Sequence, residues 1–139
     1  MVIKSVNPFE ESDLRVLINL HKACLPSDYF PNFKTAYWWV VFDNDKPIAF
    51  CGLSSVTSWP DAGYLCRSGV IDEYQGRGIQ KKLIRLRERK ARKIGWKWLI
   101  SDTTNNLPSS NSLISCGYKL YEPQVKWAYS HSLYWRKEL

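Results

Sequence analysis

The sequence holds only two histidines, His21 and His131, and its four cysteines form no CxxC pair. Zinc sites are built from clusters of these residues, so no metal centre is expected. Cys24, Cys51, Cys66 and Cys116 read as buried free thiols. With so few histidines, a Cys–His nucleophile pair at Cys66 or Cys116 has little to rest on. Long apolar runs are missing too: none approaches the ~20 residues that cross a bilayer. The opening MVIKSVNPFEESD is too polar for a secretory signal. A reducing, cytoplasmic setting without membrane partners is the expectation. Acidic residues are scarce: 13 against 20 Lys and Arg, for a formal charge of +7. Such a surface attracts polyanions of any kind, whether nucleic acid, an acidic protein or a phosphorylated cofactor. No helix-turn-helix, zinc finger or RNP-type aromatic motif is present, so base-specific reading has no support and only unspecific contact with nucleic acid is left open.

What is there is a globular composition, 45% hydrophobic with seven Trp and eight Tyr in 139 residues. The length suits one domain, 1–139, with one core. No repeat or linker divides it. VIKSV alternates as a first strand, and a helix follows, capped by Asn7 or Ser12, with Leu14, Leu17, Ile18 and Cys24 on one side and Pro26 as its stop. WWVVF and IAFCGLSSV flank the turn residues DNDKP as a hairpin. YLCRSGVI reads as one central strand. Ile79, Leu83, Leu86, Ala91 and Ile94 share a helix face that Gly95 terminates. WKWLISD is a strand, LPSSNSLISC a short helix capped by Ser109 or Ser110, and YKLYEP and VKWAYSHSLYW two final strands. In the last, Trp127, Tyr129 and Tyr134 are packing residues, and its open edge is a place for a second subunit to pair, so monomer and homodimer both stand. The expected class is α/β, a mixed central sheet with helices on its faces.

The clearest local feature is VIDEYQGRGIQKKLIRL. A strand runs into two glycines and a long helix opens there. Glycine admits positive φ and keeps Cβ atoms out of the way. The first helical turn offers unpaired N–H groups and the positive end of a dipole, which together seat phosphate. Arg77, Lys81 and Lys82 add charge. Neither a GxGxxG nor a GxxxxGK[ST] run occurs, so the two commoner phosphate motifs are excluded. Ten of the 20 Lys and Arg lie between Arg77 and Lys97. A solvated outer face and a polyanion-binding face are both open readings of them.

GVIDEYQGRGIQKKLIRLRERKARKIGW resembles the acetyl-coenzyme A binding core of the GNAT family of N-acetyltransferases. Gln75 and Gly78 stand at the places of the family's Arg/Gln-x-x-Gly-x-Gly/Ala signature, and Gln80 replaces its last small residue. NNLPSSNSLISCGYKLYEP is similar to the family's later segment, through Asn106, Asn111, Gly117 and Tyr118. The element order agrees over nearly the whole chain. The resemblance implies a GNAT-type acyl-CoA N-acyltransferase fold. It also implies transfer of acetyl from acetyl-CoA, as cosubstrate, to a primary amine by direct attack. Ser68, Val70 and Ile71 would lie beside the pantetheine arm and acetyl group. Gln75, Gly76, Arg77, Gly78, Ile79, Gln80 and Lys81 would hold the pyrophosphate, with Asn106 and Asn111 contributing from the later segment.

Such transfer needs a neutral amine, a polarised carbonyl and a proton for the leaving thiolate. A backbone N–H near Val70 is the implied carbonyl partner. For the base, Asp61 before the central strand is the candidate, with Glu10, Glu11, Asp28 or a water chain as alternatives. Leu113 stands where many relatives carry a Tyr acid. Asn111 and Ser112 could orient the thioester, and Tyr118 could act if its hydroxyl faces the site. The alternative is a catalytically silent member of the fold, binding coenzyme A or a polyanion through its basic helix.

Overall fold

The computed structural model describes all residues, Met1–Leu139. In chain order it contains β1 (Val2–Val6), α1 (Glu11–Cys24), β2 (Tyr37–Asp43), β3 (Lys46–Ser55), β4 (Ala62–Tyr64), β5 (Ser68–Val70), α2 (Ile79–Ile94), β6 (Trp98–Thr103), α3 (Leu107–Ser115), β7 (Lys119–Leu120) and β8 (Leu133–Glu138). The residues gather into two compact units, Met1–Ser54 with Cys66–Gln80, and Ser55–Leu65 with Lys81–Leu139.

The first unit is an antiparallel sheet in the order β1-β2-β3-β5, covered by α1. The β2–β3 hairpin closes through Asn44 and Asp45, at φ 47° and 71°. These two residue types tolerate the left-handed region that a two-residue hairpin turn demands. Helix α1 starts at Glu11, with Glu10 at the cap and no side chain in the capping role. This corrects the expectation of Asn7 or Ser12. Asn7 instead folds the preceding turn: its Oδ1 accepts the Phe9 N–H at 3.0 Å, and its own N–H donates to Asp13 Oδ2 at 2.9 Å. Glu11 and Asp13 in the first turn favour the helix dipole without a cap. The buried stripe is Leu17, Leu20 and His21, and Leu14, Ile18 and Cys24 flank it half-buried. Leu17 and Leu20 close on Phe33, Trp38, Val40 and Phe50. The Trp38 indole N–H finds the Phe33 carbonyl at 2.7 Å, so this buried ring leaves no donor unpaired. A Cβ on Gly69 would stand 2.4 Å from that of Cys24, so α1 lies close on β5 only because position 69 has no side chain.

The second unit is a mixed sheet in the order β4-β6-β8-β7, parallel between β4 and β6 and antiparallel elsewhere. Most of α2 lies here and is the crossover that parallel pairing requires. Within this unit its buried positions are Leu83, Ile84, Arg87, Glu88 and Ala91, while Ile94 is exposed. The basic helix is thus not solvated throughout, since Arg87 is only 2% exposed.

Two strand expectations need correction. YLCRSGVI is not one strand. Its first part pairs with β6, where the Leu65 N–H donates to the Ile100 carbonyl. From Arg67, whose carbonyl accepts the Gly52 N–H, it pairs with β3. VKWAYSHSLYW is mostly a loop: β8 begins only at Leu133, and β7 is two residues long. The polar SHS triplet interrupts the run, and side chains bond the loop backbone. Tyr134 Oη accepts the Ala128 N–H at 3.1 Å and donates to the Tyr129 carbonyl at 3.0 Å. Nor is β8 an open edge, because β6 and β7 flank it.

Candidate active site

The glycine corner has the form its sequence implies. After β5 a single turn, Asp72–Tyr74, leads into Gln75. Gly76 and Gly78 then sit at φ 77° and 76°, where any other residue is strained. Nothing lies within 4 Å of where a Cβ would stand at either position. Helix α2 starts at Ile79, so its unpaired first-turn amides open onto this bare backbone. Gln75 fastens the corner to β5: its Nε2 donates to the Val70 carbonyl at 3.1 Å and its backbone N–H to the Asp72 carbonyl at 3.2 Å. The Gln80 side chain turns back on the strand, where its Oε1 accepts the Ser68 hydroxyl at 3.3 Å. That answers how a long residue fits at this position, since only its backbone faces the corner. Arg77 folds onto the preceding turn, donating to the Glu73 carbonyl at 3.0 Å with its guanidinium 4.6 Å from the Tyr74 ring centre. Ile79 is buried, and Lys81 is exposed in the first turn.

The strand before the corner is oriented by its pairing. The Arg67 carbonyl and the Ile71 N–H both bond towards β3. Backbone groups alternate along a strand, so the amides of Ser68 and Val70 face away from β3.

The residues of the later segment lie in the second unit. Asn106 caps α3, its Oδ1 accepting the Ser109 N–H at 3.1 Å. This corrects the expectation of Ser109 or Ser110; the Ser110 hydroxyl instead bonds the Asn106 carbonyl and Thr103 Oγ1. Asn111 is exposed and Ser112 half-buried on α3. Leu113 is 4% exposed and packs in the core. Tyr118 is also buried, and its phenol donates to Glu88 Oε2 at 2.9 Å. Burial, then the Glu88 charge, hold its proton far above the usual phenol range. Lys137 bonds the same carboxylate at 3.0 Å and the Cys116 carbonyl at 2.7 Å. Tyr118 is thus one member of a buried polar cluster, with its hydroxyl committed.

Asp61 is not beside these residues. Its carbonyl accepts the N–H groups of Lys97 and Trp98, so it stands at the start of β6. Asn106 follows the other end of that strand, six residues on, or about 20 Å at ~3.3 Å per residue. Asp61 and Asn111 therefore do not form one catalytic group. The carboxylate near the far end of β6 is Asp102, which sequence reasoning missed. Its Oδ1 accepts the Tyr64 hydroxyl and the Trp127 indole N–H, the latter at 3.0 Å. The Trp127 ring meets Tyr134 edge-on at 4.6 Å and Tyr64 at 6.1 Å. The available signal was a lone charge in an otherwise uncharged strand, WLISDT.

Cys24 and Cys116 are not set up as nucleophiles. Burial pushes the Cys24 thiol up to about 11 and raises that of Cys116, whereas a nucleophile needs its pKa lowered.

Taken together, these features define an α/β protein with a mixed sheet and a strand that runs through a two-glycine corner into the amide end of a long helix. The sequence matches the acetyltransferase (GNAT) family over residues 8–118, and the chain belongs to that family. Solved structures agree at the level of the fold. An IAA acetyltransferase from Bacillus cereus superposes with a TM-score of 0.76 at 18% identity, covering 99% of both chains. A ribosomal-protein-S18-alanine N-acetyltransferase from Escherichia coli gives 0.77 at 15%, covering 99% of this chain and 92% of the other. A Bacillus subtilis acetyltransferase in complex with CoA gives 0.77 at 15%, covering 99% and 97%. No curated protein sequence matches the chain. The α/β mixed-sheet class read from the sequence therefore holds.

Proposed function

We propose that the protein transfers the acetyl group of acetyl-CoA to a primary amine by direct attack. The observation that carries this is the corner at Gly76 and Gly78: two left-handed glycines with open space where side chains would be, at the amide end of a long helix. The array fits a pyrophosphate, which backbone N–H groups and the helix dipole stabilise. Gly76, Gly78, Ile79, Gln80 and Lys81 would hold it through their backbone, with Lys81 and Lys82 adding charge. Gln75 keeps the corner in place. Acetyl-CoA supplies an activated thioester. The Val70 N–H, facing away from β3, is the donor we assign to the thioester oxygen as negative charge develops there.

The amine must be neutral to attack. Water takes the proton that the amine loses, directly or along a chain of waters. Leu113 offers no proton to the leaving thiolate, so that proton comes from solvent.

Release of free coenzyme A thiol across a panel of amines tests the reading. Amine-dependent release is expected. No release with any amine would leave a coenzyme A-binding or polyanion-binding module. The buried Leu113 and the exposed Lys81, Lys82, Arg85, Arg89, Arg92 and Lys93 favour that second reading.

A further inference from the structure

The first unit contains a polar cluster that the donor corner does not use. Arg67, the residue before Ser68, sends its guanidinium towards α1. Its Nη1 lies 3.1 Å from His21 Nε2, 3.0 Å from the Tyr29 carbonyl and 3.3 Å from Asp28 Oδ2. An arginine can only donate, so His21 Nε2 must accept. The imidazole proton is therefore on Nδ1. That atom is buried and has no hydrogen-bond partner. His21 itself is 0% exposed, between the rings of Phe30, Phe33 and Phe50. An orphaned buried donor is costly and calls for a reason. The reason is that this tautomer leaves Nε2 free to hold Arg67. Burial and the adjacent guanidinium both lower the His21 pKa, so the ring stays neutral and keeps accepting.

Three acceptors converge on one nitrogen of Arg67 and none bonds Nε or Nη2. The side chain is about one-third exposed. Nε and Nη2 form the planar edge that matches a carboxylate with two parallel hydrogen bonds. Asp28 does not cancel the charge, because it is half exposed, sits at 3.3 Å and reaches only Nη1.

We infer that Arg67, held by His21, reads a carboxylate on the acceptor, so that the favoured acceptors are amines that also carry a carboxylate, such as free amino acids. This rests on the acetyl-transfer reading, which places the acyl group along Ser68–Ile71, the residues that follow Arg67. The charge of the whole chain agrees: at +7 it attracts an anionic or zwitterionic acceptor better than a polycationic one. Arg67 is a specificity residue in this account and His21 a positioning residue.

The test sets the protein amino acids, each beside its own C-terminal amide, against the purified chain and acetyl-CoA, with thiol release as readout. Amides are the less basic amines, so more of each is neutral at a given pH. A preference for the acid runs against that trend. The acid is expected to exceed its amide in kcat/KM by about tenfold or more. Arg67→Lys and Arg67→Gln should bring the ratio towards one, because lysine keeps the charge and loses the fork. Acetyl-CoA affinity is measured on the same samples. Equal use of acids and amides would overturn the inference. So would variants that slow both equally and leave the ratio unmoved, the mark of a structural clamp. Donor binding with turnover of neutral or polycationic amines alone would overturn the inference and spare the transferase reading. Absent donor binding, both fall.

Discussion

At the scale of single residues, the long-range polar pairs carry consequences that can be measured. Glu88 is 3% exposed and has a phenol and an ammonium as partners. Removing the cation strands a buried charge. Lys137→Met should therefore destabilise the fold by roughly 3 kcal/mol, and Tyr118→Phe by only about 1 kcal/mol, as read by urea denaturation. Equal losses would mean that the lysine is not the main counterion. His21 gives a pH dependence. Its pKa is lowered in the fold and returns to about 6.5 on unfolding. Below that value the unfolded chain binds the extra proton, so stability rises with pH from the lowered pKa up to about 6.5 and is flat above. The urea midpoint should fall between pH 7 and pH 5, and less so in His21→Gln. An identical slope in the variant would assign the effect to other groups. None of these pairs was legible in the sequence. Tyr118 and Glu88 are 30 positions apart and Arg67 and His21 are 46 apart, and no local pattern couples such distances. The glycine corner was legible because left-handed backbone at 76 and 78 restricts the residue type at its own position.

At the scale of elements, each strong periodic pattern formed what it implied. Helix α2 begins after the corner and ends at Gly95, at φ 98°. One failure was at a place where the sequence carries no breaker. Nothing in YLCRSGVI marks the exchange of partners around Cys66, because both halves are equally apolar and what differs is the strand each meets. The loop before β8 misled for the opposite reason: its aromatic residues suit a strand, yet Trp127 and Tyr134 spend their side chains on Asp102 and on the loop backbone. Caps were misassigned because Ser and Asn are dense around both helix starts. For α3 the geometry selects Asn106, so Asn106→Ala should cost about 1 kcal/mol while Ser109→Ala costs little. A larger loss at Ser109, measured by thermal denaturation, would contradict that assignment.

At the scale of the molecule, the family match over residues 8–118 and the geometry of the corner lead to one claim, that coenzyme A phosphates are held by backbone amides where α2 begins. The basic surface strengthens the attraction without choosing the ligand, since charge of this kind draws any polyanion. On the proposed reading the corner makes the choice, because backbone amides would hold the phosphates through shape. The most direct measurement is calorimetric titration with acetyl-CoA of the natural chain and of Gly78→Glu, which strains the left-handed backbone and puts a carboxylate at the amide end of the helix. Binding in the micromolar range by the natural chain, lost in a variant that still folds, is the predicted result. No binding by the natural chain, or equal binding by both, would contradict the account and leave the glycines as a turn.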